Sequence, residues 1–185
     1  MARKARPLTP DSVRARVLSH VQRYAAPRAH VQRLFRRKIE RSVAEFALDR
    51  EPLEAALEAA LETAQRYGYI DDAHFAEVRA ARAIARGVSP RQVQARLGGK
   101  GLSATVIAAG LAASTEGSPE RAACEAYVKK RRLGRWRLPE DRAENRAKDL
   151  ARLGRAGFSY AIARAALEPE DERGDEDGED TAEDV

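Results

Sequence analysis

Basic side chains form two clusters, and these are the residues best suited to bind another molecule. The first cluster lies between residues 79 and 100, and the second lies between 129 and 135. Guanidinium and ammonium groups at this density bind phosphate or carboxylate oxygens. The candidate contact residues are Arg79, Arg82, Arg86, Arg91, Arg96 and Lys100 in the first cluster and Lys129, Lys130, Arg131, Arg132 and Arg135 in the second. For any single Arg a solvated helix face is the favoured interpretation, and the clusters are better candidates than their individual members.

The charge of the chain is unevenly distributed. The formal net charge is +5, from 34 basic and 29 acidic residues. The last 18 residues contain 11 acids and one Arg, which leaves +15 on residues 1–167. A body this basic indicates a polyanionic partner, most simply nucleic acid. Of the 34 basic residues 28 are Arg; a biased genome explains the choice of Arg over Lys but not the net charge.

The sequence gives little support to a catalytic or metal-binding function. We find no Ser/His/Asp set, and the three histidines and single Cys124 do not form a metal site. The GGKG stretch at 98–101 lacks the spacing and the preceding strand of a phosphate-binding loop. No apolar run approaches the roughly 18 residues of a membrane span. We therefore predict a cytoplasmic, non-enzymatic protein without cofactor, metal, small-molecule substrate or membrane segment, and a monomer.

Short corner motifs recur along the chain. Residues 101–111 read GLSATVIAAGL and residues 157–167 read GFSYAIARAAL. Gly is typical just past a helix end and Ser is a preferred N-cap, so each motif predicts a sharp turn between two helices. A third corner, GYIDDAHF at 68–75, ends one helix at Gly68 and caps the next with Asp71; Asp72 is also more typical of a cap than of a binding site.

Helical spacing of apolar residues predicts nine helices grouped in threes. Ser89, Pro90 and Gln92 give one helix a complete start pattern, whereas the helix containing Val31 is predicted to continue to residue 50. Its basic outer face comprises Arg28, Arg33, Arg36, Arg37 and Lys38. Trp136 is interpreted as a packing residue at a turn, with base stacking as the alternative.

The predicted fold is all-α, with three tandem three-helix repeats stacked in an elongated curved array. The expected divisions are a basic N-terminal arm (1–10), an atypical first repeat (11–67), a second repeat (68–115), a third repeat (116–167) and a disordered acidic tail (168–185). The tail has two interpretations. It is either a solubilising segment or an autoinhibitory phosphate mimic that folds back on the basic body.

Two stretches resemble the RecX family of regulatory proteins. GYIDDAHFAEVRAARAIARGVSPRQVQARLGGKGL is similar to the central repeat of that family, and AGFSYAIARAAL is similar to its C-terminal ending. The residues that carry the resemblance include Gly68, Asp71, Asp72, Phe75, Ser89, Pro90, Gly101, Gly157, Phe158 and Ser159. Two departures are Ser89, where many relatives have Gly, and a first repeat without the Lys-Gly–apolar turn.

The resemblance implies a three-repeat, curved helical fold that binds RecA, especially its filament on single-stranded DNA, and mostly inhibits it in recombination, DNA repair and the SOS response. It also implies contact with DNA, which we place on the basic face. The alternative is a stand-alone helical DNA-binding protein that acts on the nucleoid or on transcription. The positive charge of this chain is spread over all three predicted repeats, which suits contact with the DNA backbone better than readout of bases.

Overall fold

A computed structural model describes residues 6–168, and this part of the chain is entirely helical, with no β-strand. The all-α prediction is confirmed. The first half of the predicted basic arm (1–5) and all but the first residue of the predicted acidic tail lie outside the described residues. The α-helices are α1 (Pro10–Arg23), α2 (Arg28–Phe46), α3 (Glu51–Arg66), α4 (Asp72–Ile84), α5 (Pro90–Gly99), α6 (Ala104–Ala113), α7 (Pro119–Arg131), α8 (Pro139–Arg155) and α9 (Tyr160–Leu167), and a 3₁₀ turn covers Gly134–Trp136.

The chain divides into two compact units. Of the described residues, the first unit comprises residues 6–78 with Arg96–Gly110, and the second comprises Arg79–Ala95 with residues 111–168. The boundaries fall inside α4, α5 and α6, so these three helices contribute to both units. The threefold repeat is compatible with the order of the helices, and the repeat boundaries and the curved array stay predictions.

The first unit has a core of aliphatic side chains from its first three helices. α1 packs mainly against α3, because each presents an apolar stripe at helical spacing. Buried members of this core are Val13, Val17 and Val21 from α1, Val31, Phe35 and Ile39 from α2, and Leu53, Leu57 and Leu61 from α3. Three alanines of α3, at 56, 60 and 64, are also buried, and their small side chains allow close approach of the helices.

The second unit is built around α7, α8 and α9, with α9 packed against both of the others. Its buried residues include Ala123, Cys124 and Val128 from α7, Leu153 from α8, and Ala163, Ala166 and Leu167 from α9. Leu133, in the turn after α7, is also buried.

The predicted corner glycines adopt the backbone conformation that the turns require. Gly68, Gly101 and Gly157 have φ of 72°, 92° and 88°, a region that glycine occupies at little cost. At each corner the next residue donates its backbone N–H to a carbonyl five residues earlier, as in Leu102 to Leu97 and Phe158 to Leu153. This is the hydrogen bond of a Schellman motif, and it explains why the motif recurs.

The prediction that α2 continues to residue 50 is wrong. The helix ends at Phe46, because Ala47 adopts a left-handed conformation with φ of 50°. Ala47 thus occupies the position that glycine takes at the other corners, and the chain turns here without a glycine. A non-glycine residue in this conformation carries no clear sequence pattern.

Two corners pack against the start of an earlier helix in the same way. A Cβ on Gly101 would lie 2.6 Å from the Cβ of Ala29 in α2, and Arg33 of α2 donates to the Gly99 carbonyl over 3.1 Å. In the second unit, a Cβ on Gly157 would lie 2.8 Å from the Ser89 hydroxyl. Both corners therefore require a residue without a side chain.

Candidate functional site

The first predicted basic cluster is divided between the two units. Arg79, Arg82, Arg86 and Arg91 belong to the second unit, whereas Arg96 and Lys100 belong to the first. All are exposed except Lys100, which is half-buried. On α4, Arg79 and Arg82 are three residues apart and share a helix face, and Arg86 follows the helix end.

Lys100 lies in a basic patch with residues of α2. His30 has a pKa below its ordinary value, because burial and the positive charges of Lys100, Arg33 and Arg37 disfavour its protonated form. The four side chains are therefore close enough to interact, although 70 residues of sequence span them. We call His30, Arg33, Arg37 and Lys100 the first-unit patch.

Other members of the predicted basic face of α2 are engaged by an acid. Glu58 of α3 accepts from Arg28 over 2.8 Å and from Arg36 over 3.5 Å. Gln32 also donates to the Glu58 carboxylate. Lys38 lies with its ammonium 4.5 Å from the centroid of the Phe35 ring. Arg28 and Arg36 therefore serve the packing of α2 on α3.

The second predicted cluster lies at the end of α7. Lys129, Lys130 and Arg131 occupy the last turn of the helix, where positive charge favours the helix dipole. Arg132 forms the C-cap in a left-handed conformation with φ of 51°. These four side chains are exposed, whereas Arg135 is half-buried.

Trp136 is more exposed than the sequence interpretation allowed. Its side chain is 43% exposed, so its role as a packing residue is only partial. The Lys129 ammonium lies 5.4 Å from its ring centroid and the Arg135 guanidinium lies 5.8 Å away. An exposed indole ring between two cations is suited to stacking on an aromatic group next to a phosphate.

A buried ion pair fixes the turn that carries Trp136. Asp149 of α8 is 2% exposed and accepts from the guanidinium of Arg137 through two bonds of 2.7 Å. The same carboxylate accepts the backbone N–H of Gly134 over 3.1 Å. Burial raises the pKa of Asp149, but the bonds from Arg137 and Gly134 and the charges of Arg137 and Arg152 outweigh it, so the pKa is below its ordinary value.

A concave pocket of about 580 Å³ lies in the second unit beside this ion pair. Four basic side chains line it: Arg137, Lys148, Arg152 and Arg155. None of these was predicted as a site residue. Lys148, Arg152 and Arg155 belong to the charged side of the amphipathic helix α8, which in the sequence looks like an ordinary solvated face.

Within residues 6–168 no cluster of His, Cys, Asp or Glu side chains could hold a metal ion. In the same range, no helix combines the length and the apolar character needed to cross a membrane.

Comparison with known proteins identifies the family. No protein-family model matches the chain. The chain is 34% identical over 167 residues to the regulatory protein RecX of Myxococcus xanthus strain DK1622, and the alignment covers 90% of this chain and 89% of that protein. The chain belongs to the RecX family. It is therefore a regulatory protein of the RecX type.

The residues that carry the RecX resemblance serve the helix corners. Asp71 Oδ1 accepts the backbone N–H of His74 over 2.9 Å, which is the predicted cap of α4. Asp72 Oδ1 accepts the backbone N–H of Arg28 over 3.0 Å and so caps α2 instead of its own helix. Phe75 and Phe158 are buried.

Two serines of the resemblance have roles that the sequence did not predict. Ser89 donates its hydroxyl to the Ala156 carbonyl over 2.7 Å, which ties the start of α5 to the end of α8. Ser159 stands at the N-cap position of α9, but its side chain makes no capping hydrogen bond, so that predicted cap is wrong. Its backbone N–H donates to the Glu120 carboxylate over 2.6 Å.

Proposed function

We propose that this protein regulates RecA recombinase, mostly by inhibition, by binding the RecA filament on single-stranded DNA through its exposed basic side chains. The observation that carries the proposal is the 34% identity to a regulatory protein RecX over 90% of the chain. The basic residues supply a physical route. Many individually weak contacts to phosphate and carboxylate groups add up to strong, salt-dependent binding.

The two basic regions support contact with more than one kind of surface. The first-unit patch groups cations around His30. The α7 cluster, defined as Lys129, Lys130, Arg131, Arg132 and Arg135, places two cations beside the exposed Trp136. A protein bound along a filament through such regions blocks the addition of subunits or the pairing of strands. We therefore expect slower filament growth, less ATP hydrolysis by RecA and less strand exchange.

The first test is to add the protein to RecA filaments preformed on single-stranded DNA and to follow ATP hydrolysis. The wild-type protein should reduce hydrolysis at substoichiometric amounts. A variant with Lys129, Lys130 and Arg131 replaced by Gln should need about tenfold more protein, if each lost contact contributes about 0.5 kcal/mol. Arg132 is left in place because it adopts a left-handed conformation at the C-cap of α7, so that its replacement would also change the stability of the helix end.

The matched control replaces three exposed arginines elsewhere, Arg14, Arg16 and Arg41, by Gln. It removes the same charge and should inhibit like the wild type. If the wild-type protein leaves ATP hydrolysis unchanged but binds unrelated duplexes with a salt-dependent affinity, the stand-alone DNA-binding function replaces our proposal. Equal loss in both triple variants would indicate that only net charge matters and not the α7 cluster.

A further inference from the structure

We propose that the pocket beside Asp149 binds one nucleotide of single-stranded nucleic acid, with the phosphate on cations of α8 and the base against Tyr127. The pocket measures about 580 Å³, which lies within the range of small-molecule sites. Its lining combines positive charge, an aromatic ring and side-chain amides, and these three types of group match the three parts of a nucleotide.

The positive charge available to a ligand comes from three residues. Arg137 is neutralised by its two 2.7 Å bonds to Asp149. The charges of Lys148, Arg152 and Arg155 are left for a ligand. These residues are spaced by four and three positions and therefore share one face of α8. Lys148 also pairs with Glu144 over 3.8 Å, but the two side chains are 71% and 78% exposed. Lys148 can therefore leave Glu144 for a phosphate at little cost in free energy.

The aromatic and amide groups favour a nucleotide over other anions. Tyr127 is half-buried and oriented by an edge-on contact with Phe158, with the ring centroids 5.7 Å apart. Gln92 and Asn145 also line the pocket, where each donates to a backbone carbonyl, Ala156 over 3.0 Å and Asp141 over 2.9 Å. Amide side chains carry both donors and acceptors, as base edges do. An acidic peptide would engage the cations but would give the ring nothing planar to stack on.

The pocket also joins the α7 cluster. The guanidinium of Arg131 lies 5.9 Å from the centroid of the Tyr127 ring, so one side chain of the α7 cluster borders the pocket. A strand with one nucleotide in the pocket therefore continues next to the guanidinium of Arg131. Binding of one nucleotide here would fix the register of a strand on the second unit.

The inference depends on the proposed function only for the choice of nucleic acid as the ligand, and its test needs no RecA. Binding of a fluorescent oligothymidylate to the isolated protein is measured by anisotropy at several salt concentrations. Replacing Arg152 and Arg155 by Gln should reduce the slope of log affinity against log salt by about 1.4, because each phosphate contact on a single strand contributes about 0.7. The control variant, with Arg16 and Arg41 replaced by Gln, should keep the wild-type slope.

A second probe tests the base. The wild-type protein should bind an oligonucleotide of abasic residues about tenfold more weakly than oligothymidylate, the effect expected for one stacked base. Equal slopes for the pocket and control variants would overturn the site. Equal affinity for the abasic strand, or equal competition by an oligoglutamate of the same charge, would overturn the nucleotide as its ligand. If the pocket fails these tests while the protein still inhibits RecA, the proposed function is retained. If the pocket passes them while the protein does not inhibit RecA, the nucleotide site is retained.

Discussion

Replacement of Asp149 by Asn should destabilise the second unit more than any exposed charge substitution on the same helix. Asp149 is 2% exposed, and its carboxylate holds both the Arg137 guanidinium and the Gly134 N–H. An amide of the same shape keeps the volume of the side chain but removes its charge. One of its two terminal groups then presents N–H donors to a guanidinium that also donates.

The magnitude follows from the burial of the pair. Removing one partner of a buried ion pair costs about 3–5 kcal/mol. The Arg137 side chain is 26% exposed and recovers some hydration, so we expect the lower end, about 3 kcal/mol. For a chain of this size, such a loss lowers the melting temperature by roughly 6–12 °C. The turn at Gly134–Trp136 should also loosen, because its first N–H loses an ionic acceptor.

Urea unfolding followed by far-UV circular dichroism measures this loss. The matched control is Glu144→Gln, which makes the same acid-to-amide change at an exposed position of the same helix. Glu144 is 78% exposed and pairs with Lys148 only over 3.8 Å. We expect the control to change the free energy of unfolding by less than about 0.5 kcal/mol. Equal effects of Asp149→Asn and Glu144→Gln would refute the assignment of a stabilising role to the ion pair.

The pH dependence gives an independent check. Because the pKa of Asp149 is lowered in the folded state, the unfolded state binds the proton more tightly. The stability from this carboxylate is therefore complete above the unfolded pKa of about 3.9 and is lost as the pH falls through the folded pKa. The difference in stability between the wild type and Asp149→Asn should shrink over that acidic range. A constant difference would contradict the titration of Asp149.

Three further predictions concern other residues. Gly101→Ala should destabilise the protein by about 2 kcal/mol or more in urea unfolding, because φ is 92° and the new Cβ would meet Ala29, whereas Gly98→Ala inside α5 should stabilise by about 0.5–1 kcal/mol. Burial, with Glu120 and Glu125 nearby, raises the pKa of Cys124 to about 12, so a thiol reagent should modify it only after unfolding. Lys100→Gln should raise the pKa of His30 in an NMR titration, since Lys100 helps to lower it.

Each of these has an outcome that contradicts it. If Gly101→Ala were no worse than Gly98→Ala, the close approach of the corner to α2 would not exist. Rapid labelling of Cys124 in the folded protein would place the thiol at the surface. If the pKa of His30 stayed the same in Lys100→Gln but changed in Arg33→Gln, Lys100 would not belong to the first-unit patch.

The sequence predicts the helices and corners well because their determinants are local. Gly68, Gly101 and Gly157 each act through their own backbone conformation, and Asp71 caps the residue three positions later. The end of α2 at Ala47 was not predicted, because alanine has no intrinsic preference for the left-handed conformation that it adopts there. Local chemistry therefore determines where a helix stops only when the residue at the stop is itself distinctive.

The candidate site was predicted less completely because its residues meet through tertiary contacts. The α7 cluster is contiguous in sequence and was found directly. The pair of Arg137 and Asp149 is 12 residues apart and reads as two ordinary surface charges. Lys100 was predicted, but its neighbours Arg33 and Arg37 come from a helix more than 60 residues earlier, and no periodicity links them.

A similar corner contact helps to assemble the basic patch of the first unit and the pocket of the second. In the first unit, the corner at Gly101 lies against α2, where Arg33 bonds to the Gly99 carbonyl, and this places Lys100 beside the cations of α2. In the second unit, Ser89 and Gln92 of α5 both donate to the Ala156 carbonyl, over 2.7 Å and 3.0 Å. That contact brings Gln92 to the pocket lined by the last basic residues of α8.

Packing and binding are therefore linked in this chain. A corner glycine permits a close approach between the end of one helix and the start of an earlier one, and cations are favoured at helix C-termini by the helix dipole. The close approach collects those cations with polar side chains of the earlier helix. A substitution that disrupts the corner, such as Gly157→Ala, should therefore reduce oligonucleotide affinity as well as stability, although Gly157 itself carries no group that could contact a ligand. Gly154→Ala, where a new Cβ meets nothing within 4 Å, is the control that should leave both unchanged or improved.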